Sequence, residues 1–193
     1  MAWCNLVFFQ ESITILSPLK PNSPLEPQSP GETFEENATI KASASAKALN
    51  KVVLADDSGL VVPALGGDPG VRSARYAGED ATDRENNQKL LKELEGKDDF
   101  DRHAYYECVL VLASPDSVLK VTRGHCEGVI LTDERGRNGF GYDSLFVKHD
   151  YDKTFGELSE DVKNRVSHRR KALDSMKAFL ENLASKSTAE NSV

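Results

Sequence analysis

Two adjacent carboxylates, Asp56-Asp57, close the apolar run "KVVLA". Ser58-Gly59 follows at once, and then a stretch to residue 83 with a Gly-Gly pair and two more glycines that have arginines between them. A carboxylate there can hold Mg²⁺, or it can position and deprotonate a water. Side chains alternate along a strand, so one carboxylate can face a packed interior edge while its neighbour faces a cleft. A solvated turn or a helix cap would satisfy "DDSG" as well. The glycines weigh toward chemistry, because they let backbone N–H groups approach a phosphate or a flat base.

Two further segments carry usable side chains. In "NGFGYD" (138–143), Phe140 between two glycines offers an aromatic face for stacking, and Asp143 offers acceptors to a base edge. The competing reading is a β-turn with a core phenylalanine. In "EDVKNRVSHRRKAL" (160–173), Lys163, His168, Arg169 and Arg170 place four possible donors just before or at a helix start. Such a cluster can hold an oxyanion or a carbonyl oxygen, and a basic helix face that merely stays wet would look similar. Glu36 and Lys41 are weaker candidates, since a capping box already accounts for Glu36. Together the segments give a carboxylate pair for metal and water, an aromatic for stacking, and cations for phosphate and base. That is the inventory of a Mg²⁺-dependent enzyme acting on a free nucleotide.

The elements that must position these groups can be read from local pattern. Residues 17–33 hold five of the eight prolines and predict a loop or extended connection. Thr33 and Glu36 form a Thr-x-x-Glu box that opens a helix running to Ala48. "KVVLA" predicts a short strand covered on both faces. Thr82 and Glu85 open a second helix, with Leu90, Leu91 and Leu94 inward and Gly96 placed to end it. Residues 104–113 and 118–131 predict neighbouring strands around a Ser114–Ser117 turn, and "SLF" a further short one. Leu173, Met176, Leu180 and Leu183 make a helical stripe, followed by a polar tail. Helices and strands interleave, which predicts an α/β domain with one main mixed sheet.

Composition narrows the partners. Acidic side chains outnumber Lys+Arg by 31 to 24, a formal charge of -7, which argues against a nucleic acid polymer. Cys4, Cys108 and Cys126 are odd in number with no CxxC pair, so neither a zinc cluster nor a disulfide framework is expected. Cys108 and Cys126 read as buried small hydrophobes. Uncharged runs fall short of a membrane span, and the start lacks a basic leader and a cleavage site, so a cytoplasmic protein is expected.

"TFEENATIKA", "ADDSGLVVPALGGDPGVRSARYAG", "GFGYDSLF" and "SHRRKAL" together resemble the inosine/xanthosine triphosphate pyrophosphatase (Ham1-like) family, in its order and at about its spacing. The resemblance covers residues 31 to 183. It implies Mg²⁺-dependent hydrolysis of ITP, dITP or XTP to the monophosphate and pyrophosphate. It also implies a mixed central sheet with flanking helices in two lobes around a nucleotide cleft, and a homodimer. Carried over, Asp57 is the general base and metal ligand, with Ser58 beside the substrate. Phe140, Gly141, Tyr142 and Asp143 form the base-binding loop. Lys163, His168 and Arg169 contact substrate, the last two at the purine's 6-oxygen.

The front end departs from the family pattern. Members open with a strand and a Ser/Thr-x-Asn-x-x-Lys loop that grips the triphosphate, and "MAWCNLVFFQESITILSPLK" matches neither; Asn5 lacks the following lysine. Gln28 or Ser29 falls where a metal-binding glutamate is expected, with Glu26 the nearest acid. The resulting division is a divergent or truncated segment 1–30, a catalytic domain 31–184 and a polar tail 185–193. The first strand and phosphate loop are expected to be missing, which would slow the chain at least about a hundredfold against a version with the loop restored. The alternative is a nucleotide-binding remnant of the same fold that does not turn over.

Overall fold

Thr33 and Thr82 each accept the backbone N–H of the glutamate three residues on, and each glutamate's carboxylate accepts the threonine's own N–H. These reciprocal bonds satisfy donors that a helix start otherwise leaves orphaned. Helices α1 (Phe34–Leu49) and α2 (Asp83–Glu93) therefore begin where the sequence predicts. α1 stops at Asn50, which takes the left-handed conformation at φ 49°, ψ 45°. Past α2, Gly96 turns the chain at φ 72°, a conformation glycine adopts without strain. This computed structural model describes residues 13–15 and 31–190. The readings made on Cys4, Asn5, Glu26, Gln28, Ser29 and the proline-rich stretch lie outside those residues, apart from its last three positions.

Among the described residues, five strands form one sheet in the order β1-β2-β3-β4-β5. β1 (Ile13–Ile15) runs parallel to β2 (Val52–Val61), with Ile13 opposite Val52. β3 (His103–Ala113) and β4 (Val118–Ile130) are joined by the expected four-residue turn, closed by Ser114 N–H donating to Ser117 O at 2.8 Å. So short a link allows only an antiparallel pair. β5 (Phe146–Lys148) pairs antiparallel with β4, Gly128 facing Lys148. A Cβ at Gly128 would run into the Phe146 ring and the Val147 carbonyl, so this pairing requires glycine there.

One strand differs from its prediction. β2 does not end at Ala55 but continues through Asp56-Asp57-Ser58-Gly59 to Val61. Charge and glycine read as terminators, yet strand propensity yields to context when the polar side chains find partners. Both aspartates do.

The C-terminal helices are α3 (Glu160–Val166) and α4 (His168–Glu190), separated by Ser167 alone in an extended conformation at φ -70°, ψ 159°. α4 runs on through the first part of the stretch read as a polar tail.

The described residues divide into two compact units. One comprises Ser58–Cys108 and His125–His168, and its core is aromatic and aliphatic. Leu60, Leu90, Leu94, Phe146 and Phe155 are fully buried there, with Tyr106 edge-on to Phe146 at 4.8 Å. Cys108 and Cys126 are both buried there. The other comprises 13–15, 31–57, Val109–Gly124 and 169–190. Ala38, Ala42 and Ala46, one turn apart on α1, are fully buried there, as are Val53, Val111, Leu112 and Met176. Among the described residues no helix is long and apolar enough to cross a membrane.

Candidate active site

Consecutive residues on β2 present their side chains to opposite faces, and Asp56 and Asp57 accordingly meet different helices. Asp57 faces α1. Its Oδ1 accepts from Lys41 Nζ at 2.6 Å and its Oδ2 from Asn37 Nδ2 at 3.2 Å. Asn37 and Lys41 stand four apart on α1 and so share a face. Lys41 Nζ also reaches the Asp56 carbonyl at 3.3 Å. Asp56 meets α4, accepting Arg169 Nε at 3.1 Å. Burial raises the Asp57 carboxyl above its ordinary value of 3.8, opposed by the charge and hydrogen bond of Lys41 and the hydrogen bond of Asn37. Desolvation thus makes Asp57 a stronger base than a carboxylate in water, and Lys41 opposes that rise.

A second cluster belongs to the other unit. Gly139 and Gly141 both take positive φ, 80° and 60°, and hold Phe140 outward at 44% exposure. A Cβ on Gly139 would collide with the Asp143 carboxylate. Phe140 is therefore an accessible ring, not a core one. Asp143 is buried, and its carboxylate accepts Phe140 N–H at 2.8 Å, faces Tyr106 OH at 3.5 Å and pairs with Lys163. The Lys163 ammonium lies 4.5 Å from the Phe140 ring centroid. His168 is buried with its ring parallel to Tyr106, centroids 4.8 Å apart and planes at 10°.

The predicted residues thus fall into two groups. Asp57 stands with Asp56 and Arg169, while Phe140, Asp143, Lys163 and His168 form the aromatic cluster. Ser58 is half-buried on β2 beside Asp57. Tyr142 points into the core, its hydroxyl donating to Ser73 O at 2.9 Å, and burial pushes its ionisation up. Within its loop, Tyr142 anchors while Phe140 presents. Sequence reasoning passed over Asn37 and Tyr106 and undervalued Lys41; the i, i+4 spacing of Asn37 and Lys41 was the available signal.

No group of three or more histidine, cysteine or acidic side chains suited to a metal occurs among the described residues. Mg²⁺ needs less than that, since one or two carboxylates with substrate phosphates and waters complete its shell. The hard carboxylate oxygens of Asp57 fit that mode.

The comparisons with known proteins bear on this arrangement. A family model described as the Ham1 family matches residues 7–179. The chain belongs to the Ham1 family. A Ham1-family relative from Protochlamydia amoebophila (strain UWE25), named dITP/XTP pyrophosphatase, is 62% identical over 139 residues, covering 72% of this chain and 70% of its own. A protein of the same name from Bacillus subtilis (strain 168) is 50% identical over 136 residues, 70% and 69% of the two chains. Among solved structures, the Staphylococcus aureus Ham1 protein superposes with a TM-score of 0.74 at 50% identity, covering 79% of this chain and 78% of that one. The mixed sheet with flanking helices is the Ham1 fold.

Proposed function

We propose that this chain is a nucleoside triphosphate pyrophosphatase that hydrolyses ITP, dITP and XTP to the monophosphate and pyrophosphate. The observation that carries the reading is Asp57, a half-buried carboxylate held by Lys41 and Asn37, with its pKa pushed up by partial desolvation. A carboxylate so placed orients a water and takes its proton. The water's oxygen forms the new bond to the α-phosphorus, the α–β bridging bond breaks, and pyrophosphate leaves with the bridging oxygen. Lys41 steadies the base as its charge changes. Asp57 would hold Mg²⁺, which when bound neutralises phosphate charge.

Phe140 supplies the stacking face for the purine, with Lys163 fixed beside it by Asp143. His168 and Arg169 donate to the 6-oxygen, where adenine carries an amino donor instead. Tyr106 fixes the plane of His168, and Asp56 orients Arg169. A site of such donors rejects adenine strongly, because the mismatch leaves buried polar groups unpaired. We place the enzyme in the cytoplasm as a homodimer acting on free nucleotides. No observation favours the binding-only remnant.

Pyrophosphate and inorganic phosphate release from ITP, XTP, GTP and ATP with Mg²⁺ tests the reading. One pyrophosphate per monophosphate, with ITP and XTP preferred, is expected. Release of inorganic phosphate alone, or equal rates on all four, overturns it.

A further inference from the structure

We propose that Asp83 is a positioning residue that latches the base-stacking loop; the proposal rests on the reading of Phe140 as the stacking ring. Asp83 is the first residue of α2, yet the capping of that helix is complete without it, since Thr82 and Glu85 satisfy each other. Its carboxylate instead accepts the Gly141 N–H at 2.7 Å, across a sequence separation of 58. Phe140 N–H, the preceding donor, goes to Asp143 at 2.8 Å. Two carboxylates, Asp83 from α2 and Asp143 from the loop itself, thus hold the consecutive amides on either side of the Phe140 Cα. Gly139 and Gly141, both at positive φ, give that segment the freedom to take other conformations. Asp143 ties the loop to itself, and Asp83 is the tie that fixes its backbone to a helix outside it.

α2 is a suitable post. Leu90 and Leu94 are fully buried, and buried Asn86 accepts Ala77 N–H at 2.8 Å while donating to Ala74 O at 3.2 Å. Asp83 is therefore rigidly carried, and the latch transfers that rigidity to Phe140. The site loses precision when the backbone near the ring is released, as any pre-organised contact does when its support is left loose.

The test compares Asp83→Ala with Asp83→Asn. Asparagine keeps an oxygen that can accept the Gly141 N–H, whereas alanine keeps none. Asp83→Ala is expected to raise KM for ITP about tenfold, with kcat changed less than about threefold, as for loss of one charge-assisted hydrogen bond. Asp83→Asn is expected to restore KM to within about twofold of the parent. Amide hydrogen exchange at Gly141, followed in the nucleotide-free protein, is expected to quicken in Asp83→Ala and to return toward the parent in Asp83→Asn. An unchanged KM with unchanged exchange in Asp83→Ala overturns the latch. Equal damage from alanine and asparagine overturns it too, because charge at the helix start, not the acceptor, would then be what matters. Should the parent not hydrolyse ITP, the functional reading fails while the exchange measurement still decides the latch.

Discussion

At the scale of the residue, Asp57 combines partial burial with a cation at 2.6 Å, and the consequences of both can be measured. Its raised pKa means the folded protein holds that proton more tightly than the unfolded chain does. The stability this contributes is fully present below the ordinary value of 3.8 and is lost as pH rises through the folded value. Asp57→Asn keeps the shape without the charge, so it should abolish nearly all pyrophosphate release while melting no lower than the parent at neutral pH. A large drop in melting temperature would make Asp57 a structural residue instead. For activity the sign is opposite, since the base must be ionised. The acid limb of kcat/KM should lie above 3.8 in the parent and move to higher pH in Lys41→Met, because only the contributions that lower the pKa are removed. A pH–rate profile of both proteins checks this.

Base selection sits at the same scale. His168→Ala or Arg169→Ala should narrow the preference for ITP over ATP by roughly tenfold to a hundredfold, the worth of one charged hydrogen bond in a dry site. Equal loss on both nucleotides would assign these residues to phosphate contact or to structure.

At the scale of the element, two identical caps serve helices with different duties. Thr33→Ala and Thr82→Ala each remove a side-chain acceptor worth about 1 kcal/mol at a helix start. α1 carries both partners of Asp57, so Thr33→Ala should lower kcat as well as melting temperature. α2 carries no partner of Asp57 among the described residues, so Thr82→Ala should lower melting temperature with kcat nearly kept. Thermal melts with ITP kinetics at a temperature well below both transitions separate the two. β2 teaches a related lesson. Its charged centre was read as a strand end, because the partners that make Asp56 and Asp57 tolerable there come from residues 37, 41 and 169.

At the scale of the whole molecule, each unit has its own core, and in one of them a buried cation links segments distant in sequence. Arg102 is buried at 6% exposure and donates to Leu94 O, Ile130 O and Leu131 O at 2.7 to 2.9 Å. It thus joins the end of α2 to the end of β4 without a carboxylate partner among the described residues. Arg102→Ala would take a donor from three carbonyl groups, of which Leu94 O keeps the Lys97 N–H, and should cost about 2 to 3 kcal/mol, read as a shift in the urea midpoint. A shift below about 1 kcal/mol would mean that water replaces the guanidinium at little cost.

What the sequence determined by itself was whatever depends on near neighbours in the chain. The two Thr-x-x-Glu caps, the turn between β3 and β4, the buried thiols and the glycine-flanked Phe140 were all legible, because each is fixed by contacts or periodicity over a few residues. The motifs also marked Asp57, Phe140, Lys163, His168 and Arg169. Tertiary structure decided who meets whom. Lys41 lies 16 positions from Asp57, Gly141 lies 58 from Asp83, and Arg169 lies 113 from Asp56. Pairings over such separations follow from strand register and from which helix face is buried, and neither is encoded by the local pattern around the residues that pair.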